Sequence, residues 1–215
     1  MWTRMPVAWL TAIVLAFVQR AAIAQTPPVA EEPAPEPAWT FSLSAYTFIV
    51  PDDREYVQPT LRVDHDWLHL EARYNYEDLD TASIWLGYNW HIGEDVTLDL
   101  TAMVGGVFGD TDGIAPGYEL TLAWKKLQLY SEAEYVIDSH DSSESFFYTW
   151  SELTYAFTDW FRAGGVIQRT KVYDTDFDIQ RGFMAALTYK DLDFTVYVLN
   201  PDDDPIVVFG IAYGF

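Results

Sequence analysis

Apolar and polar residues alternate with a period of two along most of the chain. In 81–90 the bulky residues share one face of an extended strand: Ala82, Ile84, Leu86, Tyr88 and Trp90. The same alternation recurs in 97–104 and 182–189, and no stretch after Trp39 has a sustained helical period. About twelve such segments can be recognised, starting near residues 40, 56, 67, 81, 96, 118, 127, 146, 161, 179, 192 and 206. The pattern predicts an all-β protein.

The connections between these segments alternate in length. Short ones lie at 65–66, 91–95, 125–126, 158–160 and 190–191, and longer ones at 51–55, 77–80, 109–117, 138–145, 174–178 and 200–205. A segment of about ten residues is long enough for a tilted strand to cross a bilayer. Short turns on one side and longer loops on the other are typical of outer-membrane barrels. We therefore predict a transmembrane antiparallel up-and-down β-barrel of about twelve strands.

Tryptophan supports this topology. Five Trp residues fall at the strand ends next to the short turns, where an indole sits well at lipid headgroups: Trp39, Trp67, Trp90, Trp124 and Trp160. A secreted soluble sandwich would also alternate apolar and polar residues, but it gives no reason to gather Trp at one set of strand ends.

One misfit is Pro59, in the middle of a predicted strand, where we expect a bulge or a locally broken ladder.

The N-terminus carries the features of an export signal. Residues 1–24 combine Arg4, an apolar run and the small-residue pattern Ala22-Ile23-Ala24, which predicts a cleaved signal peptide. Residues 25–38 are rich in Pro and Glu and predict an extended periplasmic linker. Residues 39–215 form the predicted barrel, and the expected location is the outer membrane of a Gram-negative cell.

The last strand ends in Gly210, Tyr213 and Phe215, with a final sequence of Gly-Ile-Ala-Tyr-Gly-Phe. This ending resembles the C-terminal signal that the barrel assembly machinery of the outer membrane reads. The resemblance implies an outer-membrane β-barrel that uses this machinery as a partner, without pointing to a named family. The strand count is similar to that of small monomeric porins of the oligosaccharide-uptake type and of outer-membrane phospholipases.

Composition narrows the function classes. The formal charge is -21, which argues against binding to nucleic acid, because phosphates must be neutralised by Lys and Arg. The chain has no Cys, so thiolate metal sites and a cysteine nucleophile are excluded. No metal-ligand spacing and no cofactor motif occurs. The acids recur in all six predicted outer loops, where a solvated surface or weak divalent-cation binding would account for them.

The face opposite the apolar one should line the barrel lumen. Its charged residues predict a lumen or constriction site: Glu119, Glu132, Glu134, Asp99, Glu71, Arg62, Arg73, Glu152 and Arg162. A two-residue turn at Lys125-Lys126 would bring Glu119 opposite Glu132, with Glu134 close by. Two opposed carboxylates repel unless a cation, an Arg or a shared proton lies between them. This leaves two interpretations, a structural Glu and Arg network or a cation-favouring constriction.

We therefore expect a monomeric, porin-like passive channel for small solutes or ions, cation-favouring and not an enzyme. The alternative is a structural or surface-interaction barrel closed by tall residues such as Phe48, Trp85, Tyr130 and Tyr148. An outer-membrane lipid hydrolase is the least favoured class. Its only His and Ser grouping, His140 with Ser142 or Ser143, lies in an acidic loop that cannot preorganise an oxyanion site.

Three basic residues fall on the lipid-facing side of the predicted hairpin 161–189: Arg169, Lys171 and Arg181. Pairing residue 173 with 179 would bring Lys171 opposite Arg181 near the outer rim. Cations that face lipid are costly at the midplane but not near the interface. We expect them to bind the phosphates of lipopolysaccharide through charge-assisted hydrogen bonds.

Overall fold

The structure is a computed structural model that describes residues 38–51, 54–172 and 178–215, without the side chains of 171, 172 and 178. Among these residues no helix is long and apolar enough to cross a membrane. The predicted signal peptide and nearly all of the predicted linker lie outside the described residues. The described chain forms twelve strands and one 3-10 turn at Ser142–Glu144.

The strands are β1 (Thr40–Ile49), β2 (Tyr56–His65), β3 (Leu68–Tyr74), β4 (Ala82–Ile92), β5 (Val96–Phe108), β6 (Gly113–Trp124), β7 (Leu127–Asp138), β8 (Phe146–Thr158), β9 (Phe161–Val172), β10 (Asp178–Tyr189), β11 (Leu192–Leu199) and β12 (Ile206–Gly214). Each strand is antiparallel to its sequence neighbours, and β1 pairs with β12 to close the barrel. The predicted up-and-down barrel is confirmed.

The strand starts agree with the alternation except in β6. This strand begins at Gly113, five residues before the predicted start, because 113–117 pair with β5 despite their Gly and Pro content. On its other side the ladder to β7 lacks pairs for Ala115 and Pro116, although the register continues unchanged beyond them. Pro116 has no N–H to donate, so a local gap in one ladder is the physical result.

Pro59 shows the second of the two predicted alternatives, a locally broken ladder without a bulge. The β1–β2 pairing runs through Ala45↔Pro59 without a register shift. The ladder between β2 and β3 ends one residue away, at Thr60↔Arg73. The ladder to β3 therefore stops at the proline, and no bulge forms there. In the described residues the register shifts between Ala156 and Thr158, where β8 meets β9.

The barrel has two different ends, which we call the turn end and the loop end. Five connections at the turn end are tight, and Asp66, Lys125 and Lys190 adopt φ near +55° in three of them. The chain termini of the barrel meet at the same end, where Phe41 N donates to Phe215 O at 2.9 Å. The turn end also carries the predicted band of exposed indoles: Trp39, Trp67, Trp90, Trp124 and Trp160.

The outer face is apolar all round the barrel. Ile84 is 66% exposed and Phe183 is 67% exposed, and each belongs to a row of outward apolar residues on its strand. The faces predicted for β4, β5 and β10 are thus confirmed. A continuous apolar belt of this kind is incompatible with a water-exposed sandwich but suits a lipid environment.

The loop half of the lumen is packed with apolar side chains. Trp85 has no exposed surface and packs with Met103, Val107 and Val136, while a second cluster surrounds Trp150 on the other wall. The Trp85 ring lies flat against Gly105, its direct partner on β5. A Cβ at Gly105 would come within 2.5 Å of that ring.

This contact predicts a strong asymmetry between two glycines. Gly105→Ala should lower the free energy of unfolding by about 1–3 kcal/mol, because the buried indole has no room to move away. Gly165→Ala is the matched control, since its Cβ would meet nothing closer than 3.8 Å. Urea unfolding of the purified barrel in micelles measures both, and equal stabilities would contradict this packing.

Candidate functional site in the barrel lumen

The tight turn at Lys125-Lys126 sets the register of the lumen wall. Trp124 pairs with Leu127, which brings Glu119 opposite Glu132 and confirms the predicted pairing. Glu134 lies one lumen position further toward the loop end, opposite Gly117. Carboxylates of β6 and β7 therefore share one patch of the lumen wall.

Arg73 is the centre of an ion-pair network across the lumen. Its Nε donates to Glu71 at 2.7 Å, and its Nη1 donates to Glu134 at 2.8 Å. Glu77 and Glu119 lie 3.8 and 3.7 Å from the same guanidinium. The Arg73 side chain is 1% exposed, so its charge depends on these acids for compensation.

Two aromatic rings enclose this guanidinium. Cζ of Arg73 lies 4.2 Å from the Tyr76 ring centroid and 4.6 Å from that of Trp85, within cation–π range. Trp85 Nε1 in turn donates to Ser83 at 2.9 Å and to Glu77 at 3.2 Å. Ring and charge thus form one packed layer that fills the β3–β7 side of the lumen.

Arg62 continues the network toward the turn end. Its Nη2 donates to Glu119 at 2.5 Å, and its Nε lies 3.4 Å from Glu71. His69 contacts Asp64 at 2.8 Å and Glu71 at 3.2 Å. Ligand atoms of His69, Glu71 and Glu119 lie within 4.8 Å of one another, the spacing of a metal site. Arg62 and Arg73 also contact Glu71 and Glu119, so both carboxylates already have basic partners.

Glu132 and Glu152 have aromatic donors instead of basic partners. The hydroxyls of Tyr76 and Tyr130 donate to the two oxygens of Glu132. Glu152 Oε1 accepts from Trp150 Nε1 and from the hydroxyl of Tyr197, each at 2.7 Å. No ion pair with either glutamate occurs within 38–51, 54–172 and 178–215.

The remaining predicted lumen residues lie near the turn end. Arg162 makes two hydrogen bonds to Asp193, at 2.8 and 2.6 Å, and Asp193 also accepts from Thr188 and Thr195. Asp99 contacts His91 at 2.5 Å at the rim of the barrel. Both pairs are in contact with solvent.

Exposure falls steeply along the lumen. The side chains of Asp99, Asp64 and Arg162 are 56%, 36% and 32% exposed. Those of Glu134, Arg73 and Glu71 are 3%, 1% and 0% exposed. Contact with solvent is therefore greatest at the turn end, and the packed layer excludes water from the β3–β7 side of the lumen. A cavity of about 250 Å³ lies beside this layer, and its lining reaches from Ser42 near the turn end to Phe48 near the loop end.

The predicted cations on the outer wall require a correction. Arg169 pairs with Ile179 and Arg181 pairs with Ile167, so the predicted partner of each residue was wrong by four residues. Because this shift is even, Arg169 and Arg181 still belong to the outward, exposed face. Arg181 donates to Asp202 at 3.1 Å. The side chain of Lys171 lies outside the description.

In the loop with His140, the predicted grouping of His140 with Ser142 or Ser143 is not formed, and other contacts take its place. Ser143 Oγ donates to Asp141 at 2.7 Å, while His140 Nδ1 lies 3.1 Å from Ser139 Oγ. Ser143 and His140 are both exposed.

The C-terminal motif lies in β12 and just beyond it: Tyr213 stacks on Phe215 at 5.3 Å, and Gly210 packs beneath the Tyr46 ring.

The barrel is similar to solved porins. The KdgM porin matches with a TM-score of 0.59 and 12% identity, covering 81% of this chain and 99% of that chain. The NanC porin matches with a TM-score of 0.54 and 11% identity, covering 81% of this chain and 98% of that chain. The chain has the fold of the outer-membrane porins. No protein-family model and no curated protein matches this porin-fold barrel.

Sequence reasoning missed several members of the lumen network of this barrel, among them Asp64 and Asp193. Tyr76 and Glu77 follow β3 and fold back into the lumen, although their position in the chain predicted a loop. The four-residue spacing of Arg73 and Glu77 was no usable signal, because it brings side chains together on a helix and Arg73 lies on a strand, although the two form an ion pair at 3.8 Å. The pairing of Tyr197 with Glu152 across the lumen had no local signal.

Arg73 should be indispensable to the stability of the barrel. Arg73→Gln leaves Glu134 buried without its cation and removes one of the two arginines of Glu71, and we expect a loss of about 3–5 kcal/mol in the free energy of unfolding. Arg54→Gln removes an exposed ion pair with Asp80 at 3.2 Å, for which we expect a loss below about 1 kcal/mol. Urea unfolding in micelles compares the two variants, and similar losses would refute the central role of Arg73.

Proposed function

We propose that this barrel is a narrow outer-membrane channel that passes small cations in preference to anions. The observation that carries the proposal is the charge imbalance of the cavity wall. Glu132 and Glu152 line the cavity and form no ion pair with a basic residue of the described chain, whereas Arg62 and Arg162 are already paired with other acids. A confined passage with excess negative charge concentrates cations and repels anions.

The dry layer around Arg73 and Trp85 sets the expected size of the current. With Trp85 fully buried and Arg73 1% exposed, a permeating ion must displace side chains or pass along the edge of the layer. We therefore expect a unit conductance far below that of barrels with an open aqueous lumen.

The charge of the lumen argues against giving this barrel the solute of a structurally similar porin. A KdgM porin structure contains disordered oligogalacturonate, and that porin is 12% identical to this barrel. Oligogalacturonate is a polyanion, and the unpaired carboxylates of Glu132 and Glu152 would repel it. Small cationic or neutral solutes suit the present lumen better.

A second candidate function follows from the same packed layer. If Trp85, Phe48, Tyr130 and Tyr148 close the lumen at all times, the protein is a structural or surface-interaction barrel without conductance. All four side chains lie in the lumen, and Trp85 is completely buried. The conductance experiment below separates the two candidates.

We also propose that the outer wall near the loop end binds lipopolysaccharide. Arg169 and Arg181 are diagonal neighbours on the outward face of β9 and β10, and Lys171 follows two residues after Arg169. The phosphates of lipid A are anions at the membrane interface, where a cation on the lipid-facing wall costs little free energy. Insertion by the barrel assembly machinery through Gly210, Tyr213 and Phe215 also remains our proposal.

Charge selectivity should depend on the carboxylates. In planar bilayers with a salt gradient, we expect a reversal potential of the cation-selective sign for the wild type. Glu119→Gln combined with Glu132→Gln should move it toward zero, because two negative charges leave the lumen. Glu94→Gln, in an exposed turn, is the control and should change nothing. Anion selectivity would refute the cation preference, and absence of any current would favour the closed barrel.

Lipopolysaccharide binding predicts that the thermal stability of the barrel depends on the surrounding membrane or detergent. Replacing Arg169, Lys171 and Arg181 by Gln should lower the unfolding temperature in membranes that contain lipopolysaccharide but not in detergent. Replacing Lys125, Lys126 and Lys190 by Gln removes the same charge from the turn end and should have no such effect. An equal loss of stability in both media would assign the three residues to the barrel wall itself.

A further inference from the structure

Two carboxylates on neighbouring strands face the lumen cavity among aromatic rings. Tyr130 lies directly opposite Glu152, and Glu132 lies directly opposite Trp150, so charges and rings alternate along and across β7 and β8. Glu132 and Glu152 are diagonal neighbours in this arrangement, which separates such positions by about 7–8 Å. All four side chains line the cavity of about 250 Å³.

The nearby arginines form their direct ion pairs with other acids. Arg62 bonds to Glu119 at 2.5 Å, and Arg162 holds Asp193 with two hydrogen bonds. Glu132 is only 8% exposed, so its charge has little help from water. A buried carboxylate without a counterion is unfavourable, and a bound cation would remove that cost.

Hydroxyl and indole donors fix the orientation of both groups. Tyr76 and Tyr130 hold the two oxygens of Glu132, and Trp150 and Tyr197 hold Oε1 of Glu152. Oε2 of Glu152 accepts no hydrogen bond from the described residues. It can therefore accept one from a ligand in the cavity.

The rings decide which class of cation fits. Trp150 meets Tyr197 edge-on at 5.2 Å, and Tyr197 lies 6.3 Å from Tyr46, so three rings form one aromatic wall of the cavity. A hydrated metal ion such as Ca²⁺ needs six to eight oxygen ligands, which aromatic rings cannot supply. An organic ammonium is weakly hydrated, packs against ring faces and gains from the carboxylates.

We propose that this cavity is a binding site for a small organic cation, an ammonium group on a short apolar stem. The volume is below that of pockets for drug-sized ligands, which limits the ligand to a small molecule. The proposal rests on the cation-favouring lumen of the proposed function and specifies the solute class. The lining of the site reaches from Ser42 near the turn end to Phe48 near the loop end, so a solute moving along the lumen would meet it.

Choline is a suitable probe, and 3,3-dimethylbutan-1-ol is its uncharged analogue of the same shape. Isothermal titration calorimetry of the full barrel in detergent should show saturable choline binding and much weaker binding of the alcohol. Glu152→Gln and Glu132→Gln should each weaken choline binding about tenfold, because each removes a charge from the site. Glu94→Gln, the same substitution in an exposed turn, should bind like the wild type.

Folding of each variant is checked by its heat-dependent mobility on gels before titration. If Glu132→Gln fails to fold, Glu152→Gln alone tests the site, since Glu152 has fewer partners. Absence of saturable choline binding, equal binding of the alcohol, or binding unchanged in the folded glutamate variants would overturn the proposal. Titration needs no ion current, so a barrel that binds choline without conducting would refute only the channel function.

Discussion

The structure depends on one constraint, which is that no backbone hydrogen-bonding group can be left unpaired within a bilayer. The chain meets it by pairing β1 with β12 over Ser42↔Gly214 to Ile49↔Val207, so that the sheet has no edge. The two prolines within strands show how strict the constraint is. Pro59 lies where the ladder to β3 has already ended, and Pro116 lies in a two-residue gap of the ladder to β7.

Closure also fixes how much space remains inside. In a barrel of twelve strands, large inward side chains contact one another across the lumen. Small side chains alone would leave the lumen unfilled. Trp85 and Tyr46 solve this problem by lying on glycines, Gly105 and Gly210, whose missing Cβ atoms let each ring approach the wall. The glycine in the C-terminal motif therefore has a packing role in the folded barrel as well as its place in the resemblance.

Within this space, charge can be buried only as a connected network. Arg73 joins acids of β3, the loop after it, β6 and β7, and Arg62 links that group to the wetter turn half. The result is a lumen with two unlike halves, one dry and packed, the other lined with hydroxyls, amides and acids. The porin fold supplies the tube, and the identity of the lining residues decides which solutes the tube can accept.

The sequence by itself determined the strands, their faces and the register across the tight turn at Lys125-Lys126. Alternation with a period of two and short connections act locally, so each can be read from a few neighbouring residues. The register of β9 and β10 was missed because a longer loop does not fix where pairing resumes after Lys171. Because the error was an even number of residues, Arg169 and Arg181 still lie on the predicted outward face.

Only the tertiary structure decided which lumen side chains meet. Arg73 finds Glu134 from 61 residues away, and Tyr197 finds Glu152 from 45 residues away. Such contacts depend on strand tilt and on the curvature of the closed sheet, which act across the lumen and leave no local mark on the sequence. For the same physical reason, the residues alone could suggest a packed lumen as an alternative to an open one, but they could not decide between the two.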